Sequence, residues 1–416
     1  MRTAILGGVL LVIGAVAVAT GVLPADEAIG IAQRVWPILL FVVAITVVTE
    51  LAAEAGLFAL IAEQTASWGR GRTWVLWLLV LGFAVVSTVF LSLDTTAVLL
   101  TPVVVLLARH VGVSPIPFAL TTVWMANTAS LLLPVSNLTN LLAQHALDGP
   151  SPAEFAGLMA APAVVAVIVP AAILFVVFRK ELVGRYALRQ AQGPGGGVQG
   201  PGSGAQGSAA GSGAQSTDGG SPSQGGDRVL LVASAIVVVC LLPLLVSGLE
   251  VWIPALGGAV VLGFVFLVRR PSALRFGLLP WQLVLLASGL FLVVEAAHSL
   301  GLGTLLTTIS GTGNDLPSLL QLAGVGALSA NAIDNLPAYL ALEPVAGDPL
   351  RFAALLIGVN AGPLITPWAS LATLLWHARL HSLNVRFGWG RYILLGLLAA
   401  PLTVVLATTA LWFAHS

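Results

Sequence analysis

Asn127-Thr-Ala-Ser-Leu-Leu-Leu-Pro-Val-Ser-Asn-Leu-Thr-Asn-Leu-Leu142 lies without a gap over Asn360-Ala-Gly-Pro-Leu-Ile-Thr-Pro-Trp-Ala-Ser-Leu-Ala-Thr-Leu-Leu375. The two stretches share Asn127/Asn360, Pro134/Pro367 and the flanking leucines, and each interrupts a long apolar run with Asn, Ser, Thr and Pro. Inside a bilayer, backbone groups must be paired within the protein, so non-helical chain survives there only where it is buried or lines a cavity. Broken membrane helices at matching places in two halves therefore point to a solute site near the bilayer midplane.

Composition fixes the class. Of the 416 residues, 58% are hydrophobic and 8% charged, with a mean hydropathy of +1.00. Apolar runs repeatedly reach the roughly 20 residues that a spanning helix needs. The chain reads as an all-α polytopic membrane protein. The single cysteine, Cys240, sits in an apolar segment and can form no internal disulfide. The apolar run after Met1-Arg-Thr lacks a small-residue cleavage site and reads as the first span instead of a signal peptide.

Full spans are expected at about 4–22, 36–61, 153–178, 229–247, 251–268, 280–299 and 392–414. The runs 116–146 and 351–380 read as spans broken midway. Two more, 73–109 and 315–345, are split by Ser92-Leu-Asp-Thr-Thr96 and Asn331-Ala-Ile-Asp-Asn-Leu-Pro337; each half is too short or too interrupted for an ordinary span, so both read as re-entrant hairpins. Cytoplasmic loops hold the Lys and Arg of multi-pass proteins. A cytoplasmic N-terminus places all 17 basic residues inside except Arg34 and Arg351. An N-terminal repeat (1–180) is then followed by a linker (190–227), a connecting span (229–247) and an inverted C-terminal repeat (248–416). The linker is almost wholly Gly, Ser, Ala, Gln and Pro, and cannot bury enough apolar surface to offset its ordering entropy. It is expected to be a disordered cytoplasmic tether.

Further matches support the repeat. Asp94 at the first hairpin tip corresponds to Asp334 at the second, and Trp36 with Glu50 corresponds to Trp281 with Glu295, each followed by Gly56 or Gly301. A carboxylate within a bilayer is a functional candidate by default. Asp94 and Asp334 are therefore candidate proton-responsive groups, beside Thr95, Thr96, Asn331 and Asn335 as candidate ion or substrate contacts. Each Asp could equally cap the second limb of its hairpin. Glu50 and Glu295 lie deep in uninterrupted helices and serve either proton coupling or helix-to-helix bonding. Asn127, Ser136, Asn137, Thr139 and Asn140, with Asn360, Thr366, Ser370 and Thr373, supply amides and hydroxyls where half-helices meet. Such hydroxyls bond their own helix carbonyls as readily as a ligand.

Several classes are excluded. The sequence has no nucleotide-binding loop, no nucleophile elbow and no His/Cys cluster at metal-ligand spacing, so an enzyme, a cofactor, a bound metal and a nucleic-acid partner are not expected. No Lys or Arg lies in a hairpin or broken span away from its ends. The site suits a small polar or cationic solute better than a polyanion. Thiolate capture of a soft metalloid has no partner cysteines to use.

At these residues the chain resembles the arsenite/antimonite efflux permease family (ArsB type) of the ion transporter superfamily, which is related to sodium-proton antiporters and sodium-dicarboxylate symporters. The resemblance covers all but the linker. Its most specific pieces are Leu93-Asp-Thr-Thr-Ala-Val-Leu-Leu-Thr-Pro-Val103, Val135-Ser-Asn-Leu-Thr-Asn140, Phe178-Arg-Lys180, Asp334-Asn-Leu-Pro337 and Gly362-Pro-Leu-Ile-Thr-Pro-Trp-Ala-Ser-Leu-Ala-Thr-Leu-Leu-Trp376. It implies the superfamily fold of inverted repeats with hairpins and broken helices, a homodimer with scaffold and mobile units, and export of neutral trivalent arsenic or antimony hydroxide from the cell across its inner membrane against protons. In some members it also implies a cytoplasmic pump ATPase. Similar permeases often carry an acidic residue where this chain has Asn127 and Asn360. The alternatives are a sodium/proton antiporter or sodium-coupled organic-anion symporter of the same superfamily, and, in another class, an ion channel or non-transporting scaffold.

Overall fold

A computed structural model describes residues 2–186 and 227–416. Within them the chain is built of helices, and the one β-type pairing is an isolated bridge between Arg72 and Arg185. Except for Asp227, the expected 190–227 linker lies outside the described residues.

The first half runs through α1 (Arg2–Ala19), α2 (Ala25–Glu54), the short α3 (Leu57–Trp68), the limbs α4 (Thr73–Leu91) and α5 (Leu93–His110), then α6 (Ile116–Thr128), α7 (Leu138–Ala146) and α8 (Pro152–Val177). The second half begins with α9 (Arg228–Val246) and α10 (Trp252–Arg269). It continues through α11 (Trp281–Ser299), α12 (Leu302–Ser310), the limbs α13 (Leu316–Ala332) and α14 (Asn335–Ala346), α15 (Pro349–Ala361), α16 (Leu371–Ser382) and α17 (Trp389–His415). Among the described residues, 8 helices are long and apolar enough to cross a membrane: α2, α4, α5, α8, α9, α10, α11 and α17. The protein is a multi-pass membrane protein.

Two expectations change. The span placed at 36–61 begins at Ala25 and ends at Glu54, where Gly56 adopts a left-handed φ of 87° and starts the separate α3. Gly301, its sequence counterpart, does the same at φ 98° between α11 and α12. A side chain is unfavourable in that conformation, so glycine sets both breaks. The limbs of the first hairpin are also longer than expected, 19 residues in α4 and 18 in α5, each enough to span. The two limbs meet at a bend at Ser92 (φ 117°), across which Thr96 Oγ1 bonds Ser87 Oγ at 3.0 Å and Thr88 Oγ1 at 2.9 Å.

The order of elements from α2 to α8 recurs from α11 to α17, and the irregular stretches coincide. Helix is interrupted at 129–137 between α6 and α7 and at 362–370 between α15 and α16, the same register as the gapless alignment. The halves also exchange partners: α1 packs on α11 while α10 packs on α2, α8 lies along α17, α16 covers α5 and α7 covers α14. At the α1–α11 crossing Gly7 and Gly289 face backbone, so any Cβ there would collide with main-chain atoms. These exchanges bring both hairpin tips and both breaks to one place.

Candidate functional site

Each hairpin turns at a residue that starts its second limb. Ser92 (φ 117°, ψ 160°) accepts a hydrogen bond from the Thr95 amide, and Asp334 (φ 151°, ψ 159°) accepts one from the Leu336 amide at 3.1 Å. Both are non-glycine residues held at positive φ, conformations that cost of order 1–3 kcal/mol and persist only where packing imposes them. By cap position Asp334 therefore corresponds to Ser92, and Asp94 sits two residues into its limb. The sequence match of Asp94 with Asp334 is displaced by two residues, and only Asp334 acts as a cap.

Both aspartates nonetheless line one cavity of about 570 Å³. Its polar wall comprises Thr46, Ser92, Asp94, Asn137, Asp334, Asn335 and Ser370; leucines of α1 and α11 and Phe41 of α2 supply much of the rest. No Lys or Arg lines it. Asp94 Oδ1 and Ser370 Oγ are buried there without a hydrogen-bond partner. Buried polar atoms are ordinarily paired, so such orphans on a cavity wall are places where a ligand's groups can bond. Ser370 precedes α16 and its backbone is extended (φ −151°), yet its hydroxyl makes no cap bond. Its counterpart Asn137 caps α7, accepting from the Thr139 amide at 3.3 Å.

The remaining candidates hold the breaks together. Asn360 Oδ1 accepts from Asn137 Nδ2 and Thr139 Oγ1, each at 2.9 Å, and Asn360 Nδ2 donates to Asn140 Oδ1 at 2.8 Å. This amide seam joins the two broken helices. Asn140 Nδ2 donates to the carbonyls of Ser130 at 2.6 Å and Leu133 at 3.0 Å, and Ser136 Oγ donates to the same two carbonyls. At the second break Asn331, from the hairpin, takes the equivalent part. It donates to Gly362 O at 2.8 Å and accepts the amides of Ile365 and Thr366, while its own carbonyl accepts from Thr366 Oγ1 at 2.7 Å.

Other positions are more local. Asn127 donates to the Val123 carbonyl of its own helix, Thr95 bonds Leu91 O and Thr49, and Thr373 pairs with the Tyr392 hydroxyl. None of Thr95, Thr96, Asn127, Ser136, Thr139, Asn140, Asn331, Asn360, Thr366 and Thr373 lines the cavity. Glu50 does not reach it either, and Glu295 lines a second chamber. That chamber contains a feature the sequence reading passed over, an ion pair between Arg34 of α2 and Glu343 of α14. Opposite charges in otherwise apolar runs were the available signal. Among the described residues no group of His, Cys, Asp and Glu is placed to hold a metal ion.

The family model described as "Citrate transporter" (CitMHS) matches residues 2–373. The chain belongs to that family. It is a membrane transporter of a small solute and not an enzyme. Over 431 aligned residues it is 29% identical to the "Arsenical pump membrane protein" of Escherichia coli K12, covering 98% of this chain and 92% of the relative. The protein of that name from Yersinia enterocolitica is 28% identical over 95% of this chain and 91% of its own length. The "Putative arsenical pump membrane protein" of Bacillus subtilis is 23% identical over 88% and 85%.

Proposed function

We propose that this member of the family exports trivalent arsenic or antimony as the neutral hydroxide, coupled to protons, and that Asp94 is the group exchanging proton and solute. The observation carrying this reading is the pair of unpartnered atoms, Asp94 Oδ1 and Ser370 Oγ, on a cavity that holds two carboxylates and no cationic side chain. A citrate trianion would meet like charge there, offset only by the partial positive ends of α14 and α16, each about half a charge. A neutral trihydroxide presents three O–H donors, which a carboxylate, a serine hydroxyl and the Asn137 amide oxygen can accept. Protonating Asp94 removes its strongest acceptor and releases the solute, which ties solute movement to proton movement. The names of the relatives agree with this choice over citrate.

The recurrence of α2–α8 as α11–α17, with α9 unmatched, supports an inverted pair of repeats (1–180 and 248–416) in which α9 (the expected 229–247 span) turns the second half over. With the N-terminus in the cytoplasm, the arginines at the ends of α10 and α16 face inward. A homodimer in the inner membrane, with a cytoplasmic ATPase in some settings, belongs to the same reading.

The test is arsenite uptake into inside-out vesicles or proteoliposomes under an imposed proton gradient, without sodium. Wild-type protein is expected to accumulate arsenite, and Asp94→Asn to lose at least about tenfold of the gradient-driven rate while remaining folded, a change of about 1.4 kcal/mol in the barrier. Citrate uptake without arsenite uptake, or an absolute sodium requirement, overturns the assignment.

A further inference from the structure

The second chamber, about 390 Å³, lies beyond the cavity along the same four helices. On α2 a single stripe carries Phe41 in the cavity, buried Ile38, then Arg34 in the chamber. On α14 the sequence is Leu336, Leu340, Glu343, and on α11 it is Leu290, then Val294, beside Glu295 on the chamber wall. Residues three and four apart share a helix face, so these are consecutive positions down one path. At 1.5 Å per residue these cavity and chamber positions, four to seven residues apart, are about 6–11 Å apart along the helix axes. The chamber includes Ala146, the last residue of α7, and Gly347, which follows α14, so it reaches the loops at that end of the bundle. The cavity instead takes Leu6 and Leu10 from the N-terminal half of α1 and Leu374 from α16, which the chamber does not.

We infer that the chamber is the exit half of the permeation path, and that the Arg34–Glu343 pair is its gate, drawn shut in this conformation over one apolar layer formed by Ile38, Leu290 and Leu340. The pair joins elements from different halves, α2 and the second limb of the hairpin whose tip holds Asp334. Movement of that hairpin relative to α2 must break it. Glu343 is buried, and its Oε1 also accepts from the Tyr339 hydroxyl at 3.3 Å, so the carboxylate keeps a partner on its own helix when Arg34 departs. Arg34 is about a third exposed at the chamber side, so its guanidinium can turn to water. A reversible contact of this kind suits a gate better than a fixed brace does. Glu295, on the same chamber wall, leaves an acidic lining once Arg34 swings away, and a neutral hydroxide passes it without an electrostatic trap. The inference rests on the chain being a transporter and on the cavity as its solute site, whichever solute that is.

Cysteine labelling tests it without any solute. In a Cys240→Ser background, Leu138→Cys places a reporter on the cavity wall. A membrane-impermeant maleimide is then applied separately to each face of sealed vesicles. With the pair intact, labelling from the chamber face is expected to be slow. Arg34→Ala and Glu343→Gln should each speed it about tenfold, and the charge swap Arg34→Glu/Glu343→Arg should slow it again. Should Arg34→Ala fail to reach the membrane, Arg34→Gln and the near-isosteric Glu343→Gln serve in its place. Chamber-face labelling that is the same in wild type, single variants and swap overturns the gate. Failure of arsenite transport in the wild type would overturn the proposed solute and leave the labelling result standing.

Discussion

Asn127 and Asn360 are equivalent in the sequence repeat and unequal in the structure, and substituting each by alanine separates the two descriptions. Asn360→Ala removes three side-chain hydrogen bonds, from Asn137, from Thr139 and to Asn140, all buried. Bonds between helices in membranes average about 0.6 kcal/mol, and a typical buried bond in a folded protein contributes about 1 kcal/mol. Asn137 Nδ2 keeps a weak alternative at Ser130 Oγ, 3.5 Å away, whereas Asn140 Oδ1 loses the Asn360 donor outright. The expected loss is about 2–3 kcal/mol, a fall of about 2–4 °C in unfolding temperature for a chain of this size. Asn127→Ala removes one bond to the helix's own Val123 carbonyl and should cost about 0.5 kcal/mol. The assay is thermal unfolding in detergent, with Asn140→Ala and the Asn360→Ala/Asn140→Ala double variant completing a cycle. A coupling energy near 1 kcal/mol is expected. Equal destabilisation by Asn127→Ala and Asn360→Ala, or a coupling of zero, would refute the seam.

Arg351 spends its guanidinium on five carbonyls, those of Ser310, Gly311, Gly313, Val345 and Ala346, and so fastens the outer ends of α12 and α14. Arg351→Ala should lower stability by about 3 kcal/mol, and Arg351→Lys by somewhat less because an ammonium has three donors, as read by unfolding in detergent. Gly289→Ala would drive a methyl into the backbone of α1, costing about 1–3 kcal/mol and loosening α1, measurable as faster proteolysis near the N-terminus. Ser370→Ala deletes a hydroxyl with no protein partner, so stability should hold while the apparent KM for arsenite rises about three- to tenfold; an unchanged KM would remove Ser370 from the site.

Where the helices break was legible because the signals are local. Proline, asparagine and glycine in an apolar run act on the backbone within a few residues, and the gapless alignment of 127–142 with 360–375 carried the same irregular register into the fold. Gly56 and Gly301 were noted only as markers of the repeat, although both end a helix, because nothing in the flanking hydropathy distinguishes a break there. What each polar residue bonds was not legible. Alignment rewards identity, so it matched Asp94 with Asp334, while the cap position that matters to the backbone pairs Asp334 with Ser92. The Arg34–Glu343 pair spans 309 residues of sequence, and no local pattern marks the partner.

The difference between the halves bears on how such a site could move. At the second break the freed carbonyls and amides are satisfied by Asn331, so the second hairpin and its break are tied at the tip. At the first break Asn140 and Ser136 do this work from within the broken helix itself, and the residue that matches Asn331 in the first hairpin, counted back from the cap, is Val89, which has no side-chain donor. The first tip is therefore bound to its neighbours by hydroxyl contacts within the hairpin, by the long 3.4 Å contact of Thr95 with Thr49 of α2 and by packing against α16, and its carboxylate at Asp94 is left with an unpaired oxygen. A hairpin locked to its break by a buried amide can only move with it. One that is not so locked can shift its acid without unpairing the backbone of the break, which is the freedom a group needs if it is to hold a solute in one state and a proton in the other.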